Sequence, residues 1–266
     1  MQQQNKTFYS IADFAKHDKS TLTDIDLQLN NCNINEESLK KLNSQLAQVS
    51  QIQSLKISLK DKYIKDSQVM LLFKDLNNFQ NLSGLLINFQ GSLIQKQGAK
   101  FLSQLLQKCL KLTKLSIKIS GIYFGSKELC QILQAITVIR NLQLLEVYLG
   151  NKFDIDNEQA TAISKTLKIL DNSLTNLIIS FTENNIDDEG AYLLGLCLTH
   201  CNNLKYLDLC LCFDEKLLYS KDIQDCKNLK VLYISQYYCE SKEDKILVKR
   251  KALKIKRIVK LYFCDY

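Results

Sequence analysis

One pattern, L-x-x-L-x-L-x-L, recurs along the chain and constrains its fold more than any other feature. It opens at Leu22 (LTDIDLQL), Ile52 (IQSLKISL), Leu82 (LSGLLINF), Leu112 (LTKLSIKI), Leu142 (LQLLEVYL), Leu174 (LTNLIISF), Leu204 (LKYLDLCL) and Leu229 (LKVLYISQ), with a shortened copy at Ile258 (IVKLYF). The intervals are 30, 30, 30, 30, 32, 30, 25 and 29 residues. Each copy alternates apolar and variable residues, the period of a strand with one buried face. Between copies the period turns helical: 35–49 carries Leu39, Leu42 and Leu46, and 95–109 carries Phe101, Leu102, Leu105 and Leu106. One strand and one helix cannot bury their apolar faces alone. Stacked copies share one core, so the spacing predicts a solenoid.

These residues resemble the leucine-rich repeat family, in its ribonuclease-inhibitor-like type. The likeness is carried by the L-x-x-L-x-L strands, the "DEGA" helix opening at Asp188–Ala191 with an echo at Gly98-Ala99, and a Cys three residues before the strand; it extends from Leu22 to Phe263. The long repeats resemble the expanded leucine-rich repeat families of ciliates, and a composition rich in Lys, Asn, Gln and Ile suits an A/T-rich genome. The resemblance implies an α/β horseshoe with about nine parallel strands on the concave face and helices on the convex face. A chain without proline and with no Gly/Ser-rich linker reads as one domain over 1–266. Within it, 1–21 is expected to cap one end, 22–239 to form the repeats, and 240–266 to form a C-terminal capping repeat, because solenoid ends need covering.

Five of the ten cysteines are explained by register. Cys109, Cys201 and Cys226 each precede a strand opening by three residues, where the family accepts a small buried side chain. Cys32 and Cys239 lie ten residues after Leu22 and Leu229, a place shared by Ser92, Asn184 and Asp214, where the family puts an Asn or Cys that bonds the turn backbone. Cys210 and Cys212, two apart on one strand, face the same way with Cα atoms roughly 6.5–7 Å apart, long for a disulfide. Their row neighbours Ser235 and Tyr237 are poor zinc ligands. No metal or cofactor is expected. The N-terminus has no apolar signal region, and no run of about 18 apolar residues exists to span a membrane. Reduced thiols and a cytoplasmic location follow.

Catalysis requires titratable groups that converge on a pocket. The two histidines are His17, before the first repeat, and His200, at a helix end beside Cys201. Adjacent residues at a helix terminus rarely face each other, so no dyad is read there. The acidic runs at 154–158 and 187–189 fall at helix starts, where carboxylates offset the end dipole. The chain is read as a non-enzyme.

The formal net charge of +7 is matched by the segment Lys242–Lys260 alone, so the remainder is balanced. That segment reads as an amphipathic basic helix, with Lys249, Arg250, Lys251, Lys254, Lys256 and Arg257 among its cations. Three readings are open for it: it caps the solenoid, it docks an acidic protein, or it touches nucleic acid or anionic lipid. Arginine, the residue of choice for bidentate phosphate recognition, is scarce, and concave charges are of mixed sign, so nucleic acid is disfavoured as a partner. The variable positions of the late strands concentrate tyrosines, which favour protein interfaces. Tyr148, Tyr206, Asp208, Tyr233, Tyr237 and Tyr262 are therefore the candidate protein-binding residues. The expected function is protein–protein interaction, as an adaptor or structural subunit binding through the concave sheet. The resemblance also admits a regulator of a small GTPase or other enzyme.

Overall fold

The computed structural model describes residues 4–30, 32, 34–60, 64–74, 78–120, 126–150, 157–181, 188–198, 200–211, 226, 228–236, 246, 250, 258 and 260–265. Ten strands form one parallel sheet in chain order: β1 (Gln4–Phe8), β2 (Leu22–Gln28), β3 (Ser54–Ser58), β4 (Gly84–Gln90), β5 (Lys114–Ser120), β6 (Leu144–Gly150), β7 (Asn176–Phe181), β8 (Tyr206–Leu211), β9 (Val231–Gln236) and β10 (Lys260–Asp265). Between them run α1 (Ile11–Lys16), α2 (Glu36–Ala47), α3 (Asp66–Phe73), α4 (Lys96–Lys108), α5 (Ser126–Ile136), α6 (Asn157–Ile169) and α7 (Asp188–Leu198). Each helix packs on the next one along the chain, in a layer behind the sheet. This is the α/β leucine-rich-repeat horseshoe that the resemblance implies.

The repeat leucines make the core. The positions that open the motif and those three, five and seven residues on are buried in every copy from Leu22 to Leu149. On the helices Leu39, Leu42 and Leu46 of α2, and Leu102, Leu105 and Leu106 of α4, meet them from the other side. The backbone repeats at each junction from β2 to β9. The residue after the opening apolar position donates to its equivalent in the preceding repeat: Gln53 to Thr23, Gln143 to Thr113, Thr175 to Gln143 and Lys205 to Thr175 at 2.8 Å, and Lys230 to Lys205 at 2.9 Å. The 32- and 25-residue intervals therefore leave the register unchanged, with Leu145 opposite Leu177 and Leu207 opposite Leu232. The length differences are absorbed outside the sheet.

The sheet has one strand more than the nine motif copies. β1 lies in the segment read only as a cap, and it pairs with β2. It lacks the leucine pattern because an end strand is covered on one side only. Phe8 supplies its inward side chain, packing edge-on against Phe14 of α1 at 5.1 Å. The short helix is closed by Lys19, whose ammonium donates to the carbonyls of Phe14 (2.6 Å), Ala15 (2.9 Å) and His17 (2.6 Å).

The turn after the strand also differs from the expectation. Asn30, eight residues after Leu22, bonds the neighbouring repeat: its Oδ1 accepts from Ser58 Oγ at 2.9 Å and from Lys60 N at 3.0 Å. Cys32 is exposed, and among the described residues its Sγ makes only long contacts, with the carbonyls of Tyr9 and Asn30. Of the others at that place, Ser92 is buried, with no hydrogen-bond partner for its hydroxyl among the described residues. Asn184, Asp214 and Cys239 lie outside the described residues.

Candidate protein-interaction site on the concave sheet

In-register parallel pairing lines equivalent positions into rows that cross the sheet. One concave row runs Thr7, Asp26, Lys56, Leu86, Ser116, Glu146, Ile178, Asp208, Tyr233 and Tyr262. The row two residues earlier carries Ser54, Gly84, Lys114, Leu144, Asn176 and Tyr206. The row two residues later carries Lys118, Tyr148, Ser180, Cys210 and Ser235. Cys264 sits beyond Ser235, two strands from Cys210, and Cys212 lies outside the described residues.

Three of the candidate residues meet. Tyr206 stands opposite Val231 and Asp208 opposite Tyr233, so the two tyrosines are diagonal neighbours. Their rings reach across that diagonal to a centroid distance of 5.6 Å, tilted by 39°. The phenol of Tyr206 hydrogen-bonds to Asp208, its neighbour on the same face of β8. Burial pushes the Tyr206 hydroxyl up to about 12, helped by the negative charge of Asp208. Burial likewise holds the Asp208 carboxyl above its ordinary value. Glu146 adds to that rise, and the Tyr206 hydrogen bond opposes it. A strand pair separates nothing here: Tyr262 on β10 is the direct partner of Tyr233. Tyr237 lies outside the described residues.

Tyr148 belongs to a second cluster on β5 and β6, two strands from Tyr206. The Lys118 ammonium sits 4.2 Å from the centre of its ring, a cation–π distance. The same ammonium is 3.8 Å from Glu146 Oε2, which also accepts from Ser116 Oγ at 2.5 Å. Glu146 thus links the two clusters: it is bound to Lys118 on one side and raises the proton affinity of Asp208 on the other.

The basic segment is described at four of its positions. Ile258 is not helical and Lys260 opens β10. Ile246 and Arg250 are helical and exposed. Lys249, Lys251, Lys254, Lys256 and Arg257 lie outside the described residues.

The three buried thiols among the described residues have structural places. Cys109 and Cys201 are buried and donate back along their own helices to Leu105 and Cys197, and Cys226 donates to Leu198 of the preceding repeat. Burial pushes Cys109 and Cys201 up to about 12, far from a nucleophilic thiolate. His200 is exposed beside the inward-turned Cys201. Among the described residues no three His, Cys, Asp or Glu side chains are grouped to hold a metal ion. No helix among them is long and apolar enough to cross a membrane.

Sequence reasoning passed over Gly84. It is the one glycine in these three rows between β3 and β8, and it opens a hollow between Lys56 and Lys114. The signal was a glycine at a variable strand position, where a side chain is the norm.

No family model matches the sequence, and a search of curated proteins returns no match. Among solved structures, the chain is similar to one in the crystal structure of the Rad7 and Elc1 complex in yeast. The TM-score is 0.35 and the identity 13%, over 87% of this chain and 75% of that one.

Proposed function

We propose that this chain is a non-catalytic protein–protein interaction module, an adaptor or structural subunit that binds its partner through the concave sheet. One observation carries the reading: Tyr206, Asp208 and Tyr233 form a contiguous patch of amphipathic, half-buried side chains on a rigid sheet. Tyrosines in such a place offer a large contact area at low entropic cost, and hot spots are enriched in them. Tyr262 is the register partner of Tyr233 on β10, and Tyr148 supplies a second contact point beyond Glu146.

The finer assignment goes with it. Repeats of about 30 residues with a full helix in most copies support the ribonuclease-inhibitor-like type, and the composition supports a ciliate-like source. A single repeat domain over 1–266, capped by β1 and α1 at one end and by the basic segment at the other, suits the continuous sheet. Buried thiols that hydrogen-bond to backbone carbonyls rather than join in disulfides suit a reducing, cytoplasmic compartment.

The test is native purification with mass spectrometry of co-eluting proteins, run in parallel on the unaltered chain and on Tyr206→Ser/Tyr233→Ser. A partner that co-elutes with the first and is lost from the second supports the reading. A partner retained equally by both removes the tyrosine patch from the interface.

A further inference from the structure

The hollow over Gly84 has a chemistry of its own. Gly84 stands between Ser54 and Lys114 in its row, and a side chain there would fill the space in front of the sheet. The hollow measures about 250 Å³ and is floored by Leu86 and Leu144, which are only partly covered. Small-molecule pockets run roughly 300–1,000 Å³, so this space suits one side chain of a partner better than a cofactor.

Its rim carries two cations, Lys56 and Lys114, and one carboxylate, Glu146. Lys56 and Lys114 are exposed, and among the described residues neither has a carboxylate within ion-pairing distance. The acids in and beside the hollow each have a partner other than these two lysines. Asp26, the row neighbour of Lys56, accepts from Gln28 at 2.6 Å. Asp24 accepts from Thr23 at 2.7 Å, and Glu146 is held by Ser116 and Lys118. Two unpaired ammonium groups thus flank an apolar floor.

We propose that this hollow is the anchor pocket for an acidic segment of a protein partner, taking one aliphatic side chain over Gly84 and carboxylates on Lys56 and Lys114. The proposal rests on the reading of the concave sheet as a protein-binding face, and it names the chemistry of what binds there. The apolar floor supplies the anchor and the lysines select the sign of the flanking charge, a division of labour common at interfaces. A nucleic-acid backbone would use the lysines but leave the apolar floor empty.

The experiment is fluorescence anisotropy with a labelled short peptide carrying one leucine flanked by aspartates and glutamates. The lysine-flanked counterpart and a labelled oligothymidylate serve as comparison probes. The acidic peptide is expected to bind saturably and more tightly than either. Gly84→Leu fills the hollow and is expected to weaken binding by about tenfold or more, equivalent to about 1.4 kcal/mol. Because a Cβ at Gly84 would lie 3.3 Å from Ser54 Oγ, the same change is also made with Ser54→Ala, and both are checked for unaltered circular dichroism. Lys56→Glu/Lys114→Glu is expected to reverse the preference toward the lysine-flanked peptide. Equal binding by Gly84→Leu, no saturable binding to the unaltered chain, or tighter binding of oligothymidylate overturns the proposal. Tyr206→Ser/Tyr233→Ser should leave peptide binding unchanged, so this pocket and the tyrosine patch stand or fall separately.

Discussion

A Cβ on Gly98 would lie 2.6 Å from Oδ1 of Asp66, closer than real contacts allow, because Asp66 reaches from one repeat to cap the helix of the next. Its Oδ1 accepts from Gln95 N at 2.6 Å and its Oδ2 from Gln97 N at 3.0 Å, at the start of α4, where Gln95 provides no side-chain cap. The echo of the DEGA motif at Gly98 is therefore a clearance for a carboxylate. Glycine inside a helix ordinarily costs about 1 kcal/mol relative to alanine. Here the sign should reverse. Gly98→Ala is expected to destabilise the chain by about 1–2 kcal/mol in urea unfolding, the cost of strain and a disturbed cap. With Asp66→Ala already present, Gly98→Ala should cost clearly less, since Ile94 Cγ2, at 2.7 Å, is then the only close contact remaining of the two. Additive effects in that double-mutant cycle would show that the two residues are not coupled.

The second prediction concerns packing where the repeat interval lengthens to 32 residues. An apolar void of about 10 Å³ lies between β6, β7 and the helices behind them, lined by Leu129, Leu133, Val147, Ile163 and Ile179, among others. Val147 is flanked in its inward row by Ile117 and Ile179, so it is one methylene short of both neighbours. Val147→Ile should fill the void and raise stability by up to about 1 kcal/mol. Thermal unfolding checks it, and a lower melting temperature would mean the space is too narrow for the added carbon.

The repeat register was legible because the buried positions recur every 30 residues and the sheet copies that recurrence strand by strand. What stayed hidden depends on contacts between repeats. Asp66 and α4 are about one repeat apart, and no local pattern marks an aspartate as the cap of another helix. The same holds for Asn30, which bonds Ser58 and Lys60 across a repeat boundary while the better-marked Cys32 stays outside. β1 was missed because an end strand needs only Phe8 on its inner face. The tyrosines were found by row, but which of them touch is set by the diagonal reach of their rings, and this separates Tyr148 from the Tyr206–Tyr233 pair.

Thiol reactivity offers a residue-by-residue check of the repeat positions. Cys32 is exposed, whereas Cys109 and Cys201 are buried with thiols pushed up to about 12. In the folded protein at mildly alkaline pH, iodoacetamide should label Cys32 within the time in which Cys109 and Cys201 remain unmodified. All three should react after unfolding in urea. Peptide mapping by mass spectrometry reads each site, and early labelling of Cys109 would contradict its place at the buried end of α4.

The last prediction uses the raised proton affinity of Asp208. A carboxyl whose folded value lies above its ordinary 3.8 binds its proton more tightly in the folded chain than in the unfolded one. Its influence on stability is therefore most favourable below that ordinary value. The favour is lost as pH rises toward the folded value, and above it the penalty is constant. Asp208→Asn removes the charge while keeping an oxygen to accept from the Tyr206 hydroxyl. Its melting temperature should exceed that of the unaltered chain at neutral pH and converge with it in acid. The groups that face Asp208 set the size of the effect: Tyr206 on its own strand lowers the value by its hydrogen bond, Tyr233 and Ile178 flank it uncharged, and Glu146 raises it. Glu146→Gln should therefore lower the Asp208 value and Tyr206→Phe should raise it, both readable by NMR titration of the carboxyl. A partner that places a cation beside Asp208 would draw off its proton, so binding at this patch should strengthen as pH rises through the Asp208 value. Binding that is indifferent to pH there would place the partner's charge elsewhere on the sheet.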